Sequence, residues 1–117
     1  MNIKHVAFVM YPVSDMERAI AFYRDVLGFK QEGLELPFWA EFDVAGTTFG
    51  IGNFEQVGKP GTAQSFAIEV DDMAATRARL SELGVESTDP FETQVCFISM
   101  VADPDGNHIC LHQAKAA

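Results

Sequence analysis

The sequence has no apolar run long enough to cross a membrane. Its apolar N-terminal stretch, VAFVM at residues 6–10, is far shorter than the roughly 20 residues of a spanning helix. It leads into a helix start rather than the small-residue cleavage site of a secretory signal. We therefore expect no membrane partner and a cytoplasmic location.

Basic residues are scarce as well. Eight Lys and Arg residues stand against seventeen Asp and Glu residues, the formal net charge is −9, and no basic cluster occurs. Nucleic acids and anionic surfaces attract clustered positive charge, so we expect no nucleic-acid partner.

Cysteine is limited to two residues. Cys96 and Cys110 lack the Cys-x-x-Cys spacing of zinc and redox motifs. A single pair in an intracellular chain is more often reduced than bridged, so we expect two free thiols.

What remains suits one compact domain, since 48% of the 117 residues are hydrophobic and ten are Phe. KHVAFVMYPV (4–13) predicts a strand ending near Tyr11, and SDME (14–17) is a Ser-x-x-Glu capping box that predicts Ser14 as the cap of a helix over 15–27. Gly28 suits the end of that helix. FKQEGLEL, FWAEFDVA and TTFGIGNF then predict three strands, so the first half has the order β-α-β-β-β.

The second half repeats this order. Residues 57–63, VGKPGTA, are the predicted linker. SFAIEV predicts a strand, residues 72–83 a helix closed by Gly84, and three further strand candidates come after it, with DPDG (103–106) as a turn. VSDM (13–16) aligns with VDDM (70–73) at an offset of 57 residues. The chain 1–117 is therefore predicted to be one domain with module one at 1–56 and module two at 64–117.

Two stretches, HVAFVMYPVSDMERAIAFYRDVLGF and VADPDGNHICL, together with this repeat, resemble the vicinal oxygen chelate superfamily. That group includes glyoxalase I, bleomycin-resistance proteins and extradiol dioxygenases. The resemblance implies an α+β fold of two βαβββ modules whose mixed sheets curve into a cup, with a small molecule held on the concave face. It also implies a homodimer, in which the linker could allow module exchange.

The same resemblance implies where a metal would be held in metal-dependent members. The four ligand positions fall at His5, Gly50, Ser65 and Cys110. Only His5 is a usual ligand, whereas a catalytic zinc needs three protein ligands and a non-haem iron needs two His and a carboxylate. We therefore expect no metal. A divalent metal at His5, completed by Glu41, Cys110 and His112, stays open as an alternative.

The ligand site is predicted from strand alternation and from the resemblance. Trp39 and Glu41 alternate with Phe38, Ala40 and Phe42, so one set faces the helix and the other the cavity. The glycines of FGIGN are expected to leave room for a ligand. The predicted ligand-binding residues are His5, Trp39, Glu41, Gly50, Ser65, Cys110 and His112. Simpler interpretations remain: His5 hydrogen-bonded inside the cup, Glu41 solvated at its rim, and Cys110 packed as a small hydrophobe.

Three function classes are consistent with these features. The first is metal-free binding of a small aromatic or apolar molecule, neutral or cationic because the chain is acidic. The second is a metal-dependent lyase, isomerase or dioxygenase of the glyoxalase type. The third is a metal-free enzyme in which His5 or Glu41 is the general base.

Overall fold

The computed structural model describes residues 1–116. The chain forms two compact units: unit 1 contains residues 1–63 and 104–107, and unit 2 contains residues 64–103 and 108–116. No helix in this range is both long enough and apolar enough to span a bilayer.

Unit 1 has one α-helix, which continues into a π-helical turn, a short 3₁₀ helix at Glu55–Val57 and four strands. In chain order the α-helix and the strands are β1 (Val9–Pro12), α1 (Met16–Ala21), β2 (Lys30–Leu36), β3 (Trp39–Val44) and β4 (Thr47–Gly52). The sheet order is β1-β4-β3-β2. β1 runs parallel to β4, and the other pairs are antiparallel. The first strand is shorter than predicted, because it begins at Val9 rather than near Lys4.

The start of α1 differs from the capping-box prediction. Asp15 is the cap, and its carboxylate accepts a hydrogen bond from the Arg18 amide at 3.0 Å. Ser14 instead bonds Asp105, through its amide at 3.0 Å and its hydroxyl at 2.5 Å. The prediction was wrong because a carboxylate 91 residues further along the chain takes the Ser14 donors.

The helix predicted over 15–27 has two parts. Six α-helical residues are followed by a π-helical turn at Phe22–Val26. Gly28 then adopts φ +73°, and the Phe29 amide closes the end by donating to the Tyr23 carbonyl at 2.9 Å. Phe22 and Tyr23, the first two residues of this turn, are both buried in the core.

An aromatic cluster forms the core of unit 1. Tyr23 lies 5.0 Å from Phe49 and 6.1 Å from Phe42, measured between ring centroids. Tyr11 contacts Phe49 edge-on at 5.1 Å. Burying such rings contributes roughly 1.5–3 kcal/mol each, so this cluster is a major source of stability for the unit.

Unit 2 repeats the architecture. Its elements are β5 (Phe66–Glu69), α2 (Met73–Glu82), β6 (Phe91–Glu92), β7 (Cys96–Ala102) and β8 (His108–Ala114). The sheet order β5-β8-β7-β6 matches that of unit 1, with β5 parallel to β8. Asp72 caps α2 by accepting from the Ala75 amide at 2.9 Å. The predicted duplication and α+β class are confirmed.

The predicted linker is held by the turn at residues 104–107. The Asn107 side-chain oxygen accepts from the amides of Gly61 at 3.0 Å and Ala63 at 3.1 Å. The Asn107 amide nitrogen donates to the Pro12 carbonyl at 2.8 Å. This turn therefore joins the linker to the end of β1 within unit 1.

Candidate ligand-binding site

The open face of the unit 1 sheet carries an apolar pocket of about 290 Å³. α1 contacts β3 and β4 on the other face, where Ala40 and Phe42 are fully buried. The residues that line the pocket are apolar except for the carboxylate of Glu41. These are Phe8, Met10, Leu34, Leu36, Phe38, Trp39, Glu41 and Phe54.

Trp39 forms the floor of this pocket and is 7% exposed. Its indole lies across β4 over two glycines: a Cβ on Gly50 would overlap the ring carbons Cζ2 and Cη2, and one on Gly52 would stand 3.1 Å from Cε3. Phe8 meets the indole edge-on at 5.3 Å between centroids, and Phe54 lies at 6.2 Å. The space above Gly50, expected from the sequence to be open for a ligand, is filled by the Trp39 ring.

Glu41 holds the Trp39 indole in place through a hydrogen bond to the ring nitrogen. Its Oε2 accepts a hydrogen bond from Trp39 Nε1 at 2.8 Å, and its Oε1 accepts from the Leu34 amide at 3.3 Å. A bulge between Gln31 and Glu35 in β2 brings the Leu34 amide to this position. Gly33, at φ +102°, allows the approach, because a Cβ there would stand 2.6 Å from Glu41 Oε1. The carboxylate thus joins the floor of the pocket to its wall.

The predicted site residues do not all lie together. Trp39, Glu41 and Gly50 meet in unit 1, as strand alternation predicted. His5 precedes β1, is exposed, and is not among the residues lining the pocket. Its predicted place on the first strand was wrong, because that strand begins four residues later.

The other three predicted residues belong to unit 2. Ser65 is exposed and precedes β5, whereas Cys110 and His112 lie on β8. Both cysteines are free thiols, as expected. Burial raises the pKa of the Cys110 thiol, and the nearby Cys96 raises it further. Cys110 therefore stays protonated at neutral pH and is a poor anionic ligand.

Comparison of the two units also changes which residue of unit 1 corresponds to Ser65. β1 and β5 are 57 residues apart at both ends, and so are the capping residues Asp15 and Asp72. At this offset Phe8, not His5, corresponds to Ser65. Gly50 corresponds to Cys110, because Gly50 pairs with Met10 and Cys110 pairs with Ala67 in the equivalent parallel ladder.

Sequence reasoning missed most of the pocket wall. A signal existed at Phe8 and Met10, which alternate with Val9 and Tyr11 and so belong on the face away from the helix. Phe38 was assigned to the helix-facing set, but it precedes β3, lines the pocket and contacts Phe54 at 5.6 Å. Leu34 could not be assigned, because the β2 bulge interrupts the alternation there.

Residues 2–111 match the Glyoxalase/Bleomycin resistance protein/Dioxygenase superfamily. The chain belongs to this superfamily. No curated protein sequence matches the chain.

Solved structures of related proteins match this chain over nearly its whole length. TnmS3, an antibiotic binding protein from Streptomyces sp. CB03234, is 33% identical with a TM-score of 0.87, covering 98% of this chain and 99% of that one. A glyoxalase/bleomycin resistance protein from the same organism is 32% identical with a TM-score of 0.79, covering 91% and 97%. A member from Sphaerobacter thermophilus DSM 20745 is 27% identical with a TM-score of 0.80, covering 95% and 98%.

The metal centre known in parts of this superfamily does not fit the residues found in unit 1. Phe8 has no donor atom, and Gly50 has no side chain. The direction in which a side chain at residue 50 would point is occupied by the Trp39 ring. In unit 2 the remaining positions offer the Ser65 hydroxyl and the Cys110 thiol, which is held protonated by its raised pKa. At these positions neither unit offers the His and carboxylate ligands that zinc and non-haem iron prefer.

Proposed function

We propose that this chain is a metal-free binding protein that sequesters a small, flat, aromatic molecule, neutral or cationic. The observation that carries the proposal is the Trp39 indole held flat as the floor of an apolar pocket by Glu41 and two glycines. A preformed aromatic surface binds a planar ligand without the entropy cost of ordering side chains.

The size and lining of the pocket support a ligand of a few fused rings. Its volume of about 290 Å³ is close to the lower limit, about 300 Å³, of typical small-molecule sites. Phe8, Leu34 and Phe54 offer contacts around the edge of a ring stacked on Trp39. Offset and edge-to-face contacts of this type add about 0.5–1.5 kcal/mol per ring pair.

The charge of the site supports a neutral or cationic ligand rather than an anion. Among the described residues that line the pocket, Glu41 alone is charged, and the whole chain carries a formal charge of −9. A cation over an indole face gains about 0.5–2 kcal/mol, and the neighbouring carboxylate adds attraction that is stronger in a cleft than in open water.

Similarity to TnmS3 supports sequestration of a drug-like compound, because that protein is described as antibiotic binding. The two enzymatic alternatives have less support. Both Glu41 oxygens already accept hydrogen bonds from Trp39 and Leu34, which makes Glu41 a positioning residue rather than a general base. His5 lies outside the pocket. The metal-dependent alternative lacks suitable donors at Phe8 and Gly50.

A direct test uses the fluorescence of Trp39, the only tryptophan of the chain. We expect ethidium, a flat cation, to quench it saturably, with a dissociation constant at least tenfold below that of the anion 8-anilinonaphthalene-1-sulfonate. Calorimetry on Trp39→Ala should show ethidium affinity reduced at least tenfold. The matched control is Phe91→Ala, which removes an exposed aromatic ring in unit 2. Equal affinity for the two dyes, or unchanged affinity in Trp39→Ala, would contradict the proposal.

A further inference from the structure

A group of polar side chains, separate from the apolar pocket of unit 1, lies on the open face of the unit 2 sheet. Along β8, Ile109 and Leu111 are buried, and Gln113 accepts a hydrogen bond from the Met73 amide at the start of α2. Because side chains alternate along a strand, Cys110 and His112 lie on the face away from α2. Neither of these two residues lines the Trp39 pocket.

His112 is held by a carboxylate on the neighbouring strand. Glu69 and His112 are direct partners in the parallel β5–β8 ladder, and Glu69 Oε1 lies 2.5 Å from His112 Nδ1. The other oxygen, Oε2, accepts from the Ala114 amide at 2.6 Å. The Ala114 hydrogen bond, followed by that of His112, lowers the pKa of Glu69. With Oε2 accepting from a backbone amide and Oε1 facing the ring nitrogen, the Glu69 carboxylate serves as the acceptor of both hydrogen bonds.

This arrangement fixes the tautomer of the imidazole. An acceptor-only carboxylate at Nδ1 requires the ring proton to reside there, which leaves Nε2 as an acceptor in the neutral ring. Among residues 1–116, Nε2 has no hydrogen-bond partner, and no buried side-chain nitrogen or oxygen lacks one. Nε2 is therefore open to solvent, in agreement with a His112 side chain that is 33% exposed.

We propose that His112 Nε2 is a hydrogen-bond-accepting subsite for a hydroxyl group on an aromatic ring, chemically a phenol, with Glu69 as its positioning residue. The acidic O–H of a phenol is a good donor to an sp² nitrogen. The negative charge of Glu69 disfavours carboxylates and phenolates at the same place. On β7, Ile98 pairs with His112 and Met100 pairs with Cys110, and they supply apolar contacts for the ring that carries the hydroxyl.

The first experiment measures the tautomer by nitrogen-15 NMR. The chain has three histidines, so single His→Gln variants assign each ring. In the neutral wild-type protein we expect His112 to carry its proton on Nδ1, and Glu69→Gln to shift the population toward Nε2–H. The matched control is Glu92→Gln, which removes an exposed carboxylate paired with Lys115 in the same unit. A wild-type His112 protonated on Nε2 would overturn the proposal.

The second experiment titrates phenol against anisole, which has the same ring without the hydroxyl donor. We expect a saturable shift of His112 Nε2 with phenol, at least fivefold larger than with anisole, while His5 and His108 remain nearly unchanged. Glu69→Gln should weaken phenol binding about fivefold, the effect of one hydrogen bond, and leave anisole unaffected. Equal shifts with both compounds, or none with either, would overturn the subsite. Trp39→Ala should not alter the result, which separates this test from that of the proposed function.

Discussion

Gly50 lies directly beneath the indole of Trp39, and any larger residue there would displace the ring because its Cβ would overlap ring carbons Cζ2 and Cη2. In β4 this glycine is buried and pairs with Glu41, whose carboxylate holds the edge of the same indole. The backbone of one strand and the side chain of the next thus fix a single orientation for the ring.

The first prediction concerns this contact. Gly50→Ala should displace the indole and lower the free energy of unfolding by about 1–3 kcal/mol, the usual cost of overpacking a filled site. The emission of Trp39 should shift to longer wavelength as the ring becomes more exposed. Urea unfolding and fluorescence spectra measure both effects. The control is Thr48→Ala, on the same face of β4, for which we expect less than about 0.5 kcal/mol.

The second prediction is energetic coupling between Trp39 and Glu41. A double-mutant cycle of Trp39→Phe and Glu41→Gln should give a coupling free energy of about 1–2 kcal/mol, since the hydrogen bond has one charged partner. Chemical unfolding of the four proteins measures it. Additive effects of the two substitutions would show that the Trp39 Nε1 bond does not hold the ring.

The third prediction concerns metal content. We expect purified protein to hold far less than one equivalent of zinc, nickel, iron or manganese, because Phe8 and Gly50 provide no donors. Elemental analysis after dialysis tests this. About one metal per chain, lost in His5→Ala or Cys110→Ala, would restore the metal-dependent alternative.

The fourth prediction is a homodimer. Ile3 and Val6 are each 72% exposed and Leu34 is 55% exposed, which leaves apolar surface that a second copy could cover. β2 is an edge strand of its sheet and offers unpaired backbone groups. Light scattering should give twice the 12.9 kDa mass of one chain at micromolar concentration. A 12.9 kDa species would contradict this expectation.

The fifth prediction is a loss of stability in acid through Glu69. Its pKa is lowered in the folded state, first by the Ala114 amide and then by His112. Its contribution is therefore present above the ordinary carboxyl pKa of about 4.3 and is lost as the pH falls through the lower folded-state pKa. Thermal unfolding across this range should show wild type more stable than Glu69→Gln at pH 7, with the difference disappearing in strong acid.

The duplicated modules could be predicted from the sequence because the patterns that mark each strand and helix involve residues close together in the chain. Alternation placed Trp39 and Glu41 on one face, and Asp72 and Gly84 bounded α2 closely. The glycine at residue 50 was predicted to leave room for a ligand, but strand period alone does not identify the group that fills that room. That group is a side chain from the neighbouring strand, and its placement depends on the β3–β4 register.

Other features depended on contacts distant in sequence. Ser14 has the pattern of a helix cap, yet its donors bond Asp105, so Asp15 takes the capping position. The pocket wall depends on the bulge in β2, which shifts Leu34 out of simple alternation. His5 was assigned to a ligand position by motif, whereas the 57-residue offset between the two units assigns that position to Phe8.

The turn at residues 104–107 has a consequence for how the chain folds during synthesis. Asp105 and Asn107 bond Ser14, Pro12 and the linker, although they are separated from Ser14 and Pro12 by more than 90 positions. Unit 1 therefore cannot complete its contacts while only its own first 63 residues have left the ribosome. Its helix and four strands lie within residues 9–52 and can form earlier, but the bonds to Ser14, Pro12 and the linker form only after residue 107 has emerged. Translation speed across the second half thus sets how long the end of β1 and the linker lack these partners on the nascent chain.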